Sequence, residues 1–237
     1  MEKSCKNYVI AIDGEAGTGK STLAKNIAQK YGIVYLDTGA MYRCVTLACL
    51  NLGIEPENID GINEVLKDIT ISFKKDGEKT LVFCNGKDVT EEIRTPRVDS
   101  YVAKFAAIKE VREKMTPLQR EMGKTSKVVM EGRDIGTVVF PNANVKIYLD
   151  CSIEERARRR YLQEIEKGKN ITYEEVLKSI KERHKLETER EIAPFVKADD
   201  AILIDSTNLS IEQVVERIIK LIEDKLQASN GKTTIIN

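Results

Sequence analysis

The string Gly14-Glu15-Ala16-Gly17-Thr18-Gly19-Lys20-Ser21 constrains this chain more than any other feature. It fits the pattern G-x-x-x-x-G-K-[ST], a loop whose glycines let the backbone curl until its N–H groups converge on phosphate oxygens. An apolar run, Tyr8–Ile12, precedes the loop, and a helical pattern, Ser21–Tyr31, follows it. A helix opening on such a loop adds its free N–H groups and its dipole to an anion site. In that setting Lys20 reaches the β- and γ-phosphates, and the Ser21 hydroxyl is placed to ligate Mg²⁺. Glu15 is out of keeping with this chemistry, because a carboxylate in a phosphate loop repels the ligand unless it points outward.

The rest of the chain continues the strand–helix alternation. Ile33–Leu36, Val128–Met130, Val145–Leu149 and Ala201–Ile204 are short apolar runs with little polar alternation, as expected of strands covered on both faces of a parallel sheet. Helical patterns occupy Ala40–Leu52, Lys109–Met122, Ile153–Glu166 and Ile211–Leu226, and another begins near Thr172. Ser152 with Glu155, Thr172 with Glu175 and Ser210 with Gln213 have capping-box spacing. The pattern predicts an α/β doubly wound domain. One region departs from it. Ile69–Phe73 and Leu81–Cys84 read as strands joined by a turn at Asp76-Gly77, and Asn85-Gly86 leads into a short segment at Val89. The expectation is a small antiparallel insert within one domain spanning 1–237, with an inserted subdomain at 63–100. The stretch Ala228–Asn237 is small and polar and reads as frayed.

Composition narrows the classes of partner. Lys+Arg and Asp+Glu both number 38 among 237 residues, so the formal net charge is zero and any anion site is local. A nucleic-acid or membrane-surface binder carries a basic excess, so neither partner is expected. No apolar run approaches the roughly 20 residues of a membrane span. Met1–Asn7 has no signal-peptide character. Cys5, Cys44, Cys49, Cys84 and Cys151 are odd in number and form no Cys-x-x-Cys pair, which argues against disulfides and structural zinc. Each reads as a small buried hydrophobe in a reduced, cytoplasmic protein. The one histidine, His184, cannot complete a metal cluster.

Three further segments carry candidate chemistry. After the second strand comes Asp37-Thr38-Gly39-Ala40-Met41-Tyr42-Arg43, where Thr38 suits an N-cap and Arg43 lies one turn on. After the third comes Glu131-Gly132-Arg133-Asp134. Arg133 can clamp a phosphate, Asp134 can accept a hydrogen bond from a base amino group, and Glu131 can hold water around Mg²⁺. An ion-paired loop is the alternative. Arg183, Glu187 and Arg190 fall within about 60° of one another on a helix, as a ligand-binding face or, on spacing alone, an i,i+4 surface ladder. Arg156, Arg158, Arg159 and Arg160 read as a solvated basic face or as a lid that brings arginines onto transferring phosphates. The strings Asn-Lys-x-Asp and Asp-x-x-Gly of GTPase switches are absent.

Taken together, these segments resemble the bacterial cytidylate kinases of the nucleoside monophosphate kinase group. The resemblance runs from Val9 to about Leu226. It rests on Ile12 through Thr22, Leu36 through Arg43, Glu92-Ile93-Arg94-Thr95, Gly132 through Pro141 and Ile180-Lys181-Glu182-Arg183. It implies an adenylate-kinase-like P-loop fold with a five-stranded parallel sheet flanked by helices, the antiparallel insert and a helical lid at 156–170. It also implies phosphoryl transfer from ATP to CMP or dCMP with Mg²⁺. Carried over, Gly14, Glu15, Ala16, Gly17, Thr18, Gly19, Lys20, Ser21 and Thr22 would hold ATP, with Ser21 toward the metal. Thr38, Arg43, Arg112, Arg133, Asp134, Arg183, Glu187 and Arg190 would hold CMP. Lys20, Arg133, Arg159 and Arg160 would neutralise the transferring charge.

Three positions depart from the family pattern. Glu15 stands where proline is common. Ala103 replaces a serine that approaches the cytosine, although Ser100 is nearby. Glu187 replaces an aspartate near the ribose. A monomer is expected. The competing readings are a P-loop kinase of UMP, AMP or an alcohol, for which Asp37 or Glu131 would be the base, and a non-catalytic ATP-dependent switch.

Overall fold

The computed structural model describes residues 8–77, 79–124 and 127–229, the last five as backbone. Cys5, the polar start and most of the C-terminal stretch lie outside the described residues. In chain order the elements are β1 (Val9–Gly14), α1 (Lys20–Tyr31), β2 (Val34–Asp37), α2 (Thr38–Asn51), α3 (Ile59–Asp68), β3 (Ile71–Asp76), β4 (Lys79–Cys84) and β5 (Lys87–Asp88). There follow α4 (Pro96–Ala107), α5 (Lys109–Lys124), β6 (Val128–Gly132), β7 (Val145–Asp150), α6 (Ile153–Glu166), α7 (Tyr173–Glu189), β8 (Ile202–Asp205) and α8 (Ile211–Ser229). A 3₁₀ turn covers Glu92–Arg94, and a π-helical turn covers Ile135–Val139.

The five apolar runs form one parallel sheet in the order β2-β6-β1-β7-β8. They lack polar alternation because both faces are covered. Ile10 and Ile12 of β1 pack with Leu23 and Ile27 of α1 and Val214 and Ile218 of α8. Val9 and Ala11 face the other way, toward Met130, Ile135 and Val139. The register aligns the carboxyl ends: Asp37 lies beside Glu131, Asp13 beside Gly132, and Gly14 beside Leu149. In open α/β sheets ligands bind at this edge, where connections leave the sheet in opposite directions.

The antiparallel strands β3, β4 and β5 form a separate sheet, as the turn signals predict. Two helices, α3 and α4, lie outside the helical patterns named above. The Asn58 side chain accepts from Gly61 N to cap α3, and Pro96 opens α4. Both helices pack, with α2 and α5, into a second core around Phe105 and Met115. At α2 the cap is not Thr38. The Asp37 carboxylate accepts from Ala40 N at 3.1 Å, and Thr38, freed of that task, donates its hydroxyl to Glu131 O at 2.7 Å. The Thr172–Glu175 capping box is complete. Glu155 departs from its box, its carboxylate being taken by Arg158 and Arg159.

One side chain ties the sheet edge together. Asp13, buried at the end of β1, accepts from Ile135 N at 2.8 Å and Gly136 N at 2.7 Å. These amides open the π-helical turn that follows Arg133 and Asp134. Asp13→Ala is expected to leave two buried N–H groups unsatisfied and to destabilise the fold by about 2–5 kcal/mol. Urea unfolding checks this. A loss under about 0.5 kcal/mol, the range of ordinary surface changes, would contradict the role.

Candidate active site

The phosphate loop is built between β1 and α1. Gly19 begins the helix at φ +97, a conformation that a side chain would strain. Thr18 Oγ1 and Lys20 Nζ both donate to Glu15 O, at 2.9 and 2.7 Å. Lys20 is buried, and that burial, reinforced by Arg133, lowers its ammonium to about 7. Glu15 does not point outward. Its carboxylate is buried between Arg156 of α6, with which it pairs closely, and His184 of α7, whose Nδ1 is 2.8 Å away.

Beside the loop lies a pocket with about 590 Å³ of empty space, its solvent mouth included. Lys20, Asp37, Thr38 and Glu131 line it from the sheet edge, and Arg133, Arg183, Glu187 and Arg190 line it from the loop after β6 and from α7. Gly132 permits the Thr38 approach, since a Cβ there would sit 2.6 Å from Thr38 Oγ1. Tyr42 of α2 and Val102, Ala103 and Ala106 of α4 make an apolar wall. In this wall a buried ion pair joins Arg112 to Asp134, and the Arg112 guanidinium lies over the Tyr42 ring, 5.5 Å from its centroid. Arg112 Nε and Arg190 Nη2 are buried without a hydrogen-bond partner. Such orphaned donors imply that a polar group joins them.

Glu187 carries the opposite wall. It accepts from Arg133 Nε at 2.6 Å and from Arg183 Nε at 2.7 Å. Burial works against its ionisation, yet the two guanidiniums hold its carboxyl well below the usual carboxylate range. This is a buried cluster drawn from two elements and not the surface ladder that the spacing favours. Burial and the neighbouring Asp37 push the Glu131 carboxyl up. Burial also raises Asp13, to about 6.

Thus Lys20, Thr38, Arg112, Arg133, Asp134, Arg183, Glu187 and Arg190 are brought to one pocket. Arg43, Arg159 and Arg160 are not among its lining residues. Arg43 donates to Ile93 O at 2.8 Å and pairs with Asp99 at 2.5 Å. Arg159 donates to Ser206 O at 2.7 Å, and Arg160 pairs with Asp99 and Glu164. The basic run on α6 is therefore no solvated face: Arg156 is buried, and of the four only Arg158 is mostly exposed. Ser100 does not replace the family's serine at Ala103, for its hydroxyl donates to Arg97 O at 2.9 Å. Tyr42, Val102 and Ala106 also line the pocket, and the motifs do not single them out. The Thr95-Pro96 start of α4 was the available signal for the last two.

A family model described as cytidylate kinase matches residues 10–224. The chain belongs to the cytidylate kinase family. It is 47% identical over 222 residues to the cytidylate kinase of Bacillus subtilis (strain 168), covering 93% of this chain and 98% of that one. It is 50% identical over 216 residues to the cytidylate kinase of Thermosipho melanesiensis, covering 91% and 97%. A solved structure of an uncharacterized protein from Eubacterium ventriosum shares the fold at TM-score 0.51 and 16% identity, covering 92% of this chain and 99% of that one. Membership in the cytidylate kinase family agrees with the phosphate loop, the parallel sheet and the separate small sheet.

Lys20 gives a proton-linked prediction. With its ammonium lowered to about 7, it is mostly neutral at about pH 8 in the free protein. A triphosphate held by Lys20 would favour the charged form, so its binding is expected to take up a proton there. Calorimetry of a non-hydrolysable ATP analogue in buffers of different ionisation enthalpy is expected to show uptake approaching about one proton at that pH. Lys20→Arg, charged throughout, is expected to lose that uptake. Equal uptake in both proteins would contradict the assignment.

Proposed function

We propose that this protein transfers the γ-phosphoryl group of ATP to CMP or dCMP, giving ADP and CDP or dCDP. The observation that carries the reading is the buried Arg112–Asp134 pair in the wall of a pocket that also contains the phosphate-loop lysine. The chain then acts on a small nucleotide, with the phosphate loop for ATP and the pocket for the monophosphate. The region 63–100 is proposed as a subdomain shaping the monophosphate side, and 156–170 as a lid.

The acceptor is a phosphate oxygen, already anionic near neutral pH, so no strong general base is required. Positioning and charge neutralisation are what remain for the protein to supply. Lys20 turns its ammonium from Glu15 O to the phosphates. Arg133 and Arg183 hold the acceptor phosphate, and Glu187 fixes both guanidiniums and offsets their mutual repulsion. Arg159 and Arg160 are proposed to swing from Ser206, Asp99 and Glu164 onto the transferring group as the lid closes, which also excludes water.

The donor set fits Mg²⁺. Buried Glu131 and nearby Asp37 repel each other, and Glu131 also meets the Ser21 hydroxyl. Among the described residues no group of three or more His, Cys, Asp or Glu could form a protein cage. Few hard oxygens and no cage suit a cation held mainly by phosphates and water, with Ser21 as ligand and Glu131 and Asp37 through water. Bound there, Mg²⁺ supplies neutralisation of the charge on the β- and γ-phosphates.

Base choice falls to Asp134 and Arg112. Cytosine presents an amino donor where uracil presents a carbonyl. A carboxylate accepts from the first and repels the second, and Arg112 Nε, without a hydrogen-bond partner, and Arg190 Nη2, 3.7 Å from Asp134, complement cytosine's acceptors. Rejection of a mismatched polar edge reaches about 10⁴-fold. Asp134→Asn is expected to narrow the ratio of kcat/KM for CMP over UMP by at least about tenfold. The ratio is independent of how much variant is folded, which matters because breaking a buried ion pair costs about 3–5 kcal/mol. An unchanged ratio removes Asp134 from the base contact. Lys20→Ala is expected to lower kcat by about 10²–10³-fold or more with the fold retained. Turnover within about threefold of wild type, under 1 kcal/mol of barrier, would overturn the reading.

A further inference from the structure

The single histidine has no part in the chemistry above, and its position gives it one. Glu15 has cationic neighbours from two helices. Arg156 of α6 pairs with its carboxylate and also donates Nε to Cys151 O at 3.1 Å. The backbone of Arg156 lies directly against Gly17, so α6 is packed on the phosphate loop itself. The second neighbour is His184 of α7, with Nδ1 at 2.8 Å from Glu15 Oε1. That approach lacks the alignment of a hydrogen bond. A neutral imidazole therefore gains little from it, and one whose lone pair faces the carboxylate is repelled. A cation at this position gains a solvent-screened attraction to the carboxylate. The residue before His184 is Arg183, held by Glu187, which also holds Arg133. His184 thus stands between the donor loop and the acceptor-side ion cluster.

We propose that His184 is a positioning residue of the phosphate loop: together with Arg156 it screens the Glu15 carboxylate and tethers α7 to the loop, so that a triphosphate meets less repulsion from it. The inference rests on ATP being the donor, as proposed above. The other groups facing this cluster do not replace the histidine. Arg133 and Tyr148 feel the charge of Glu15, but Arg133 is committed to Glu187. Asp99 of α4, which packs on α7, is engaged by Arg43 and Arg160. Without the histidine, Glu15 keeps only Arg156, and its repulsion of the triphosphate is less screened.

The test is the KM for Mg·ATP at saturating CMP in wild type, His184→Gln, His184→Lys, Glu15→Gln and the Glu15→Gln/His184→Gln double variant. His184→Gln is expected to raise KM about fivefold, with kcat changed less than about twofold. His184→Lys, which keeps a cation beside Glu15, is expected to leave KM low. In the Glu15→Gln background His184→Gln is expected to have no effect. No rise in His184→Gln, an equal rise in His184→Lys, or the same rise without the Glu15 charge would each overturn the proposal. If wild type did not phosphorylate CMP, the acceptor reading would fall separately. Dissociation constants of a non-hydrolysable ATP analogue for the same variants would then decide the His184 question by the same pattern.

Discussion

A single buried carboxylate holds the two halves of the site in register. Asp13 is the last residue but one of the central strand, directly before the first glycine of the phosphate loop, and its two oxygens take the amides that open the turn after Arg133 and Asp134. The phosphate loop and the loop after β6 are thereby fixed to each other at the sheet edge. The burial that raises Asp13 to about 6 is opposed by those same amides and by Lys20. Its folded value lies above the roughly 3.9 of an unfolded aspartate, so its contribution is fully present below about pH 4 and declines as pH rises through about 6. The contact persists because its two amides have no other partner, and an unmade bond to a buried N–H costs more than the ionisation.

Around this tie the site is arranged as cations each held by a carboxylate. Glu187 restrains Arg133 and Arg183, Asp134 restrains Arg112, Asp99 restrains Arg43 and Arg160, and Glu15 restrains Arg156. Breaking one partner of a buried pair is far costlier than the net worth of the pair. The pairing explains how a chain of zero formal net charge concentrates arginines in one pocket. It also keeps the Arg112, Arg133 and Arg183 guanidiniums of the pocket aimed before a nucleotide arrives, which is what electrostatic preorganisation requires.

The parallel sheet and the phosphate loop were legible because their signals are local. Strands buried on both faces read as unbroken apolar runs, and G-x-x-x-x-G-K-[ST] falls within eight consecutive positions. Helix α4 escaped because its apolar residues share the sequence with an exposed polar face and follow directly on the turn signals of the insert. The long-range pairings had no local signal. Arg112 meets Asp134 across 22 residues and Arg133 meets Glu187 across 54, and spacing cannot report either. Glu15 shows the limit most plainly. In sequence it is a misplaced charge, and only the fold brings α6 and α7 to it. Most of the pocket's charged residues stand out in motif and spacing, Arg112 only through the resemblance, and the fold brings them to one lining.

The central claim is that the pocket selects a cytosine monophosphate and the phosphate loop supplies the phosphoryl group. ADP release from Mg·ATP, with CMP, dCMP, UMP, AMP and GMP offered separately, tests it most directly. The account predicts turnover strongest with CMP or dCMP. Stronger turnover with UMP or a purine monophosphate would contradict the base readout by Asp134 and Arg112, and no turnover with any of the five would contradict the kinase reading itself.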